Sequence, residues 1–115
     1  MRHKKQGRKF GLEKNERKAF LNGLVRSFVL HGRIETTLPR AKETQRLTER
    51  LLTTARKGTL AARRSALRIL GPEETKKLFE LAPKYATRPG GYTRITKIRA
   101  RSHDRATMAA LEFVE

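Results

Sequence analysis

Three histidines, His3, His31 and His103, are the side chains best suited to proton transfer or metal ligation near neutral pH, and they stand far apart in the chain. Only His103 has an acid beside it, Asp104, and the stretch Ser102-His103-Asp104-Arg105 has the composition of a tight polar turn. There is no cysteine, which removes disulfides, thiolate nucleophiles and cysteine-ligated zinc. The paired carboxylates Glu73-Glu74 follow Gly71-Pro72, where a helix start favours negative charge. No glycine-rich nucleotide-binding motif of the phosphate-loop or dinucleotide type occurs. With no constellation of acid, base and nucleophile, the sequence predicts no enzyme, no metal site and no cofactor.

The chemistry that is abundant is cationic. Of 115 residues, 28 are Lys or Arg and 11 are Asp or Glu, for a net charge of +17. Such a charge repels itself in a folded chain and calls for a neutralising partner, of which nucleic acid is the usual one. The charge is uneven. Residues 1–18 hold eight cations and two anions, residues 39–71 nine and two, and residues 84–105 seven and one. The near-neutral segments between them supply the core. A membrane surface is the weaker rival, because no long basic amphipathic helix with an aromatic face stands out. The longest apolar run, Met108 to Leu111, spans nothing, and the basic start lacks the apolar stretch of a secretory signal. A soluble, intracellular chain with no membrane partner is expected.

Two stretches concentrate the candidate contacts. The first is the opening segment, residues 1–12, with Arg2, His3, Lys4, Lys5, Arg8 and Lys9 and too little apolar surface to fold alone. It reads as an extended basic arm, disordered when free, that orders along RNA phosphates, and Arg17 and Lys18 continue its charge into the first helix. The second is Arg88-Pro89-Gly90-Gly91-Tyr92-Thr93-Arg94-Ile95-Thr96-Lys97-Ile98-Arg99-Ala100-Arg101. A Pro-Gly-Gly turn here leads into a strand with four cations and no anion between residues 92 and 101. Gly90 and Gly91 allow close backbone approach, Tyr92 offers a ring for base stacking, and Arg88, Arg94, Lys97, Arg99 and Arg101 offer charge. Arg40, at the start of the second helix, completes the set of RNA-binding candidates.

The elements that must position these groups follow from periodicity. Asn15 caps a first helix whose apolar stripe is Phe20, Leu21, Leu24, Val25, Phe28 and Val29, ending at Gly32. Arg33 to Leu38 is a short strand. Thr37 or Leu38 caps a second helix, with Pro39 in its first turn and a stripe of Ala41, Leu47, Leu51, Leu52 and Ala55, that stops at Gly58. Thr59 caps a third helix, through Leu70, with Arg63, Arg64 and Arg68 opposite Leu60, Leu67 and Leu70. A fourth helix opens at Gly71-Pro72 and closes at Pro83, with Leu78, Phe79, Leu81 and Ala82 as anchors. The 88–101 strand and a final strand, Ala106 to Val114, form a hairpin, although Ile95 and Ile98 have opposite parity, which implies a bulge or burial on both faces. The predicted fold is α+β, a single small domain over residues 13–115 in the order tail-α-β-α-α-α-β-β, with a small mixed sheet packed on helices and the arm, residues 1–12, in front.

Three segments carry a resemblance that runs end to end. Met1-Arg2-His3-Lys4-Lys5, Ile34-Glu35-Thr36-Thr37-Leu38-Pro39-Arg40-Ala41-Lys42-Glu43 and Arg88-Pro89-Gly90-Gly91-Tyr92-Thr93-Arg94-Ile95, with the closing Met108-Ala109-Ala110-Leu111-Glu112-Phe113-Val114, resemble the bacterial large-subunit ribosomal protein seventeen family. Each motif alone is weak, and together they are specific. The resemblance implies a structural, rRNA-binding component of the large ribosomal subunit, in the cytoplasmic ribosome, on its outer side near the nascent-peptide exit region. It also implies a mixed α/β fold with an extended N-terminal arm, and a neighbouring ribosomal protein, number thirty-two, as a contact. One departure is visible. The family's Arg-x-Gly-Asp turn reads Arg101-Ser102-His103-Asp104 here.

Two readings compete with rRNA binding. A DNA-compacting architectural protein shares the charge and predicts comparable affinity for duplex DNA together with dimerisation. A regulatory module with basic faces predicts an acidic protein partner.

Overall fold

In the computed structural model, which describes residues 8–114, the first helix α1 spans Lys14–His31. Glu13 takes the N-cap place with extended backbone and accepts Arg17 N at 2.8 Å through its carbonyl, so Asn15 lies inside the helix and does not cap it. The helix stops at Gly32, whose φ of 79° few other residues tolerate and whose N–H returns to Phe28 O at 2.7 Å. Strand β1, Arg33–Thr37, follows, and α2 begins at once at Leu38 and runs to Ala55. Gly58, with φ 64°, turns the chain into α3, Leu60–Leu67, where Thr59 Oγ1 accepts Ala62 N at 3.1 Å as the cap.

Helix α4, Pro72–Leu81, starts at Gly71 and passes into a 3-10 turn, Ala82–Tyr85, that contains Pro83. Glu73 and Glu74 lie in its first turn, as the helix dipole favours. Glu74 does more than that. It is buried, faces Arg26 of α1 at 3.6 Å, and lies so close to Gly71 that a Cβ there would come within 2.5 Å of Glu74 Oε2. Gly71 is the residue that lets α1 and α4 be joined this way.

Strands β2, Thr93–Lys97, and β3, Met108–Phe113, complete a three-stranded sheet of order β1-β3-β2. The sheet is antiparallel throughout, where a mixed one was expected. The last strand inserts between the two earlier ones, so β1 and β2, which run in the same direction, never meet. The expected hairpin is present, with Ile95 opposite Leu111. The parity conflict between Ile95 and Ile98 dissolves because β2 ends at Lys97. Beyond it single bonds continue the ladder, Ile98 N to Met108 O at 2.9 Å and Arg101 N to Ala106 O at 3.0 Å.

The helices cover one face of the sheet. Between α1, α2 and β3, the residues Phe28, Ala41, Ala109 and Leu111 form one buried cluster, with Phe113 stacked on Phe28 at 4.3 Å. A second and larger cluster lies among the helices, built from Val25, Val29, Leu51, Leu52, Ala55, Ala66, Leu70, Leu78 and Tyr92. Helix α3 contributes a different face from the one its leucines suggest. Ala62 and Ala66 are buried together with Leu70, while Leu60 and Leu67 are exposed, because two small side chains on one stripe bring the helix axis closer to its neighbours than leucines would. Thr44 and Thr48, also fully buried, satisfy their hydroxyls on the carbonyls four residues back, each at 2.8 Å.

Candidate nucleic-acid interface

Arg2, His3, Lys4 and Lys5 lie outside the described residues. Residues 8–12, the described part of the arm, are fastened to the helices. Leu12 N bonds Lys9 O at 3.0 Å across a tight turn whose central residues, Phe10 and Gly11, have φ of 53° and 68°. That left-handed conformation is costly for phenylalanine. Two contacts hold it: the Phe10 ring meets Phe20 edge-on at 5.8 Å, and Arg8 Nη1 donates to Glu43 Oε1 at 2.8 Å. Phe20 also receives the Arg40 guanidinium over its ring at 5.0 Å, and Arg17 donates to Leu12 O at 3.4 Å. Arg8, Arg17 and Arg40 thus converge on the root of the arm, with Lys9 and Lys18 exposed beside them.

The second candidate stretch divides. Tyr92 is 0 % exposed, so its ring belongs to the core. It packs against Tyr85 at 5.4 Å, and its hydroxyl accepts Arg56 Nη1 at 2.7 Å and lies 3.2 Å from Thr53 Oγ1. Gly91 has φ 64° and is needed for the turn, whereas a Cβ on Gly90 would meet open space. Arg88 donates to Gly91 O at 3.0 Å, and Arg94 faces Glu112, its cross-strand partner, at 3.6 Å. Arg101 grips Asp104 with Nε at 3.0 Å and Nη2 at 2.6 Å, while Ala106 N donates to the same carboxylate at 3.1 Å. The Arg101 hydrogen bond, then the Ala106 N–H, hold the Asp104 carboxyl well below the usual range, at about 2. His103 fits this turn without strain, since the left-handed residue is Arg105, with φ 55°. Arg99 and Lys97 are exposed and make no ion pair with a described residue.

Other cations stand clear of these two stretches. Lys42, Arg46 and Arg50 are exposed on α2. Arg63, Arg64 and Arg68 are exposed around α3, with Arg63 over the Phe79 ring at 4.6 Å. The signal for them was present in sequence as a helical face rich in Lys and Arg, but a solvated face has the same signal. Between α2 and β2 lies an open groove of about 680 Å³, lined by Leu38, Lys42, Gln45, Arg46, Glu49, Ile95 and Lys97. Among the described residues no group of His, Cys, Asp or Glu could hold a metal ion, and no helix is long and apolar enough to cross a membrane.

Residues 20–114 match the model of the family described as ribosomal protein L17. The chain belongs to the ribosomal protein L17 family. The match covers the whole sheet, both buried clusters and all four helices except the first turns of α1. Among its relatives is a large ribosomal subunit protein bL17 from Clostridium kluyveri, 50 % identical over 111 residues, which covers 95 % of this chain and 98 % of that one. The protein of the same name from Halothermothrix orenii is 48 % identical, covering 94 % and 96 % of the two chains. That from Thermodesulfovibrio yellowstonii is 48 % identical over the whole of this chain and 88 % of its own. The family model begins within α1, while the alignment with the Thermodesulfovibrio yellowstonii relative also takes in residues 1–19.

Proposed function

We propose that this chain is a structural constituent of the bacterial large ribosomal subunit, in the cytoplasmic ribosome, and that it stabilises folded large-subunit rRNA by neutralising phosphates. Membership of the L17 family is the observation that carries this reading, and the surplus of 17 positive charges supports it. The role is mechanical and electrostatic, with no catalytic step. The arm, residues 1–12, acts as an extension distinct from the 13–115 domain. Its outer residues Arg2, His3, Lys4 and Lys5 reach into RNA, while the turn at Phe10 and Gly11 sets the direction in which it leaves α1. Lys9 at the root of the arm, and Lys18, Lys97 and Arg99 on the domain, add contacts. Arg8, Arg17, Arg40, Arg88, Arg94 and Arg101 approach RNA as groups already oriented by their partners inside the protein. A neighbouring large-subunit protein, number thirty-two, is the protein contact implied by the resemblance.

Sedimentation of a cell lysate tests this reading. The chain is expected to migrate with large subunits through a moderate salt wash and to leave them at high salt, since binding that neutralises many phosphates falls by several decades per decade of salt. Migration with chromosomal DNA, or with a soluble acidic protein, would overturn it. Removing residues 1–9 is expected to leave the domain folded, less stable by the loss of Arg8 beside Glu43, and to weaken association with the subunit; unchanged association would remove the arm from the mechanism.

A further inference from the structure

The groove between α2 and β2 combines two features that phosphate neutralisation alone does not require. Its α2 wall is one ridge, Leu38, Lys42, Gln45, Arg46 and Glu49, in which each residue follows another by three or four positions. Its opposite wall is Ile95 and Lys97, alternate residues on the helix-facing side of β2. The groove exists because β2 is an outer strand. Helix α2 is seated over the sheet centre through Ala41, packed with Ala109 and Leu111, and so overhangs Ile95 without closing on it.

The rim is cationic and available. Lys42, Arg46 and Lys97 are exposed, and none makes an ion pair with a described residue. Glu49, the one acid on the wall, is already committed. Its Oε1 accepts Thr93 N at 3.0 Å and Thr93 Oγ1 at 2.7 Å, and its Oε2 accepts Gly91 N at 3.1 Å. The floor is apolar, with Leu38 and Ile95 both only half-buried. Gln45 sits between floor and rim, held by a long bond of 3.5 Å from its amide to Thr93 O, which it can exchange for a bond to a ligand.

A phosphate-studded duplex satisfies the rim but not the floor, because its base faces are stacked on one another. An unstacked nucleotide satisfies both, with a flat apolar base for Leu38 and Ile95, a guanidinium to lie on it, a polar base edge for an amide, and flanking phosphates for the lysines. We propose that the α2–β2 groove is a pocket for one unpaired nucleotide of the rRNA, with its base on Leu38 and Ile95 beneath the Arg46 guanidinium and its two flanking phosphates on Lys42 and Lys97. The proposal rests on the rRNA-binding reading and narrows it: this part of the surface selects unpaired RNA, whereas the arm does not.

Fluorescence anisotropy with the full chain separates the two levels, using a short oligouridylate and a blunt RNA duplex of equal nucleotide count as probes. Ile95→Glu is expected to weaken oligouridylate binding by about tenfold, the scale of one lost apolar burial, and to leave duplex binding within about twofold. The exposed triple variant Lys42→Gln, Arg46→Gln, Lys97→Gln leaves the core untouched and decides the matter should Ile95→Glu fail to fold. It is expected to lower the salt slope for oligouridylate by about 1.4, two phosphate contacts at the single-strand value. With 4-thiouridine in the oligomer, irradiation is expected to yield adducts on residues 38–49 or 95–97. Equal losses for both probes, adducts confined to the arm, or displacement of the oligomer by an acidic leucine-containing peptide at lower concentration than by free oligouridylate would each overturn the pocket. If the wild-type chain binds neither probe and does not sediment with large subunits, the rRNA reading itself fails.

Discussion

The cations at the root of the arm, along the hairpin and at the two ends of α2 differ from those of mid-α2 and α3 in what they touch. Arg8 has Glu43, Arg40 has the Phe20 ring, Arg94 has Glu112, Arg101 has Asp104, and Arg56 has the Tyr92 hydroxyl and Ala86 O. Lys42, Arg46, Arg50 and Arg64 are exposed without such an ion pair among the described residues. A count of positive charge treats the two groups alike. Their physics is different: a partnered arginine is fixed in direction and contributes to the fold, while an unpartnered one keeps its rotamers and its hydration until an anion arrives. The first group should therefore show itself in stability and the second in salt-dependent binding.

The largest expected effect is at Tyr92. Tyr92→Ala removes a fully buried ring and leaves Arg56 and Thr53 without their shared hydroxyl, and is expected to cost about 3–5 kcal/mol in chemical denaturation. A loss below 1 kcal/mol would mean that the partnered cluster does not hold the fold. Next is Glu49→Ala, which strips three donors of a common acceptor and is expected to cost about 2 kcal/mol by the same measurement. The triple substitution of Lys42, Arg46 and Lys97 to Gln is expected to change stability by no more than about 0.5 kcal/mol while flattening the salt dependence of RNA binding. A stability loss as large as that of Glu49→Ala would erase the distinction between the two groups.

The smallest effect is a titration. Asp104 has its carboxyl lowered to about 2, so the turn draws stability from the charged form above the ordinary carboxylate range and loses it as pH falls through about 2. Carboxyl NMR should find a midpoint near 2 for Asp104, rising toward the ordinary carboxylate range when Arg101 is replaced by Gln. An unchanged midpoint in that variant would show that Ala106 N–H, not Arg101, sets the value.

Local chemistry made much of this fold legible. Gly32, Gly58 and Pro72 mark element ends through backbone angles that need no tertiary knowledge, and Thr59 caps α3 as its type and place suggest. The buried face of α3 is not legible in the sequence, because a stripe of leucines outweighs a stripe of alanines in any hydrophobicity count, while close packing rewards the small side chains. The interface was harder to read for a related reason. The pairing of Arg101 with Asp104 lies three residues apart and is visible in sequence, but that of Arg94 with Glu112 depends on strand register, and that of Arg8 with Glu43 on how the arm folds back. Tyr92 carried no sign that its hydroxyl would be occupied by Arg56, thirty-six residues away.

Glu49 has a consequence outside RNA binding. β2 is one of the two outer strands of the sheet, and the backbone donors at and just before its start, Thr93 N and Gly91 N, are both taken by that one carboxylate from α2. A strand so occupied offers poor purchase to a strand from another copy. A strand from another copy would have to displace this helix side chain before it could reach those two donors.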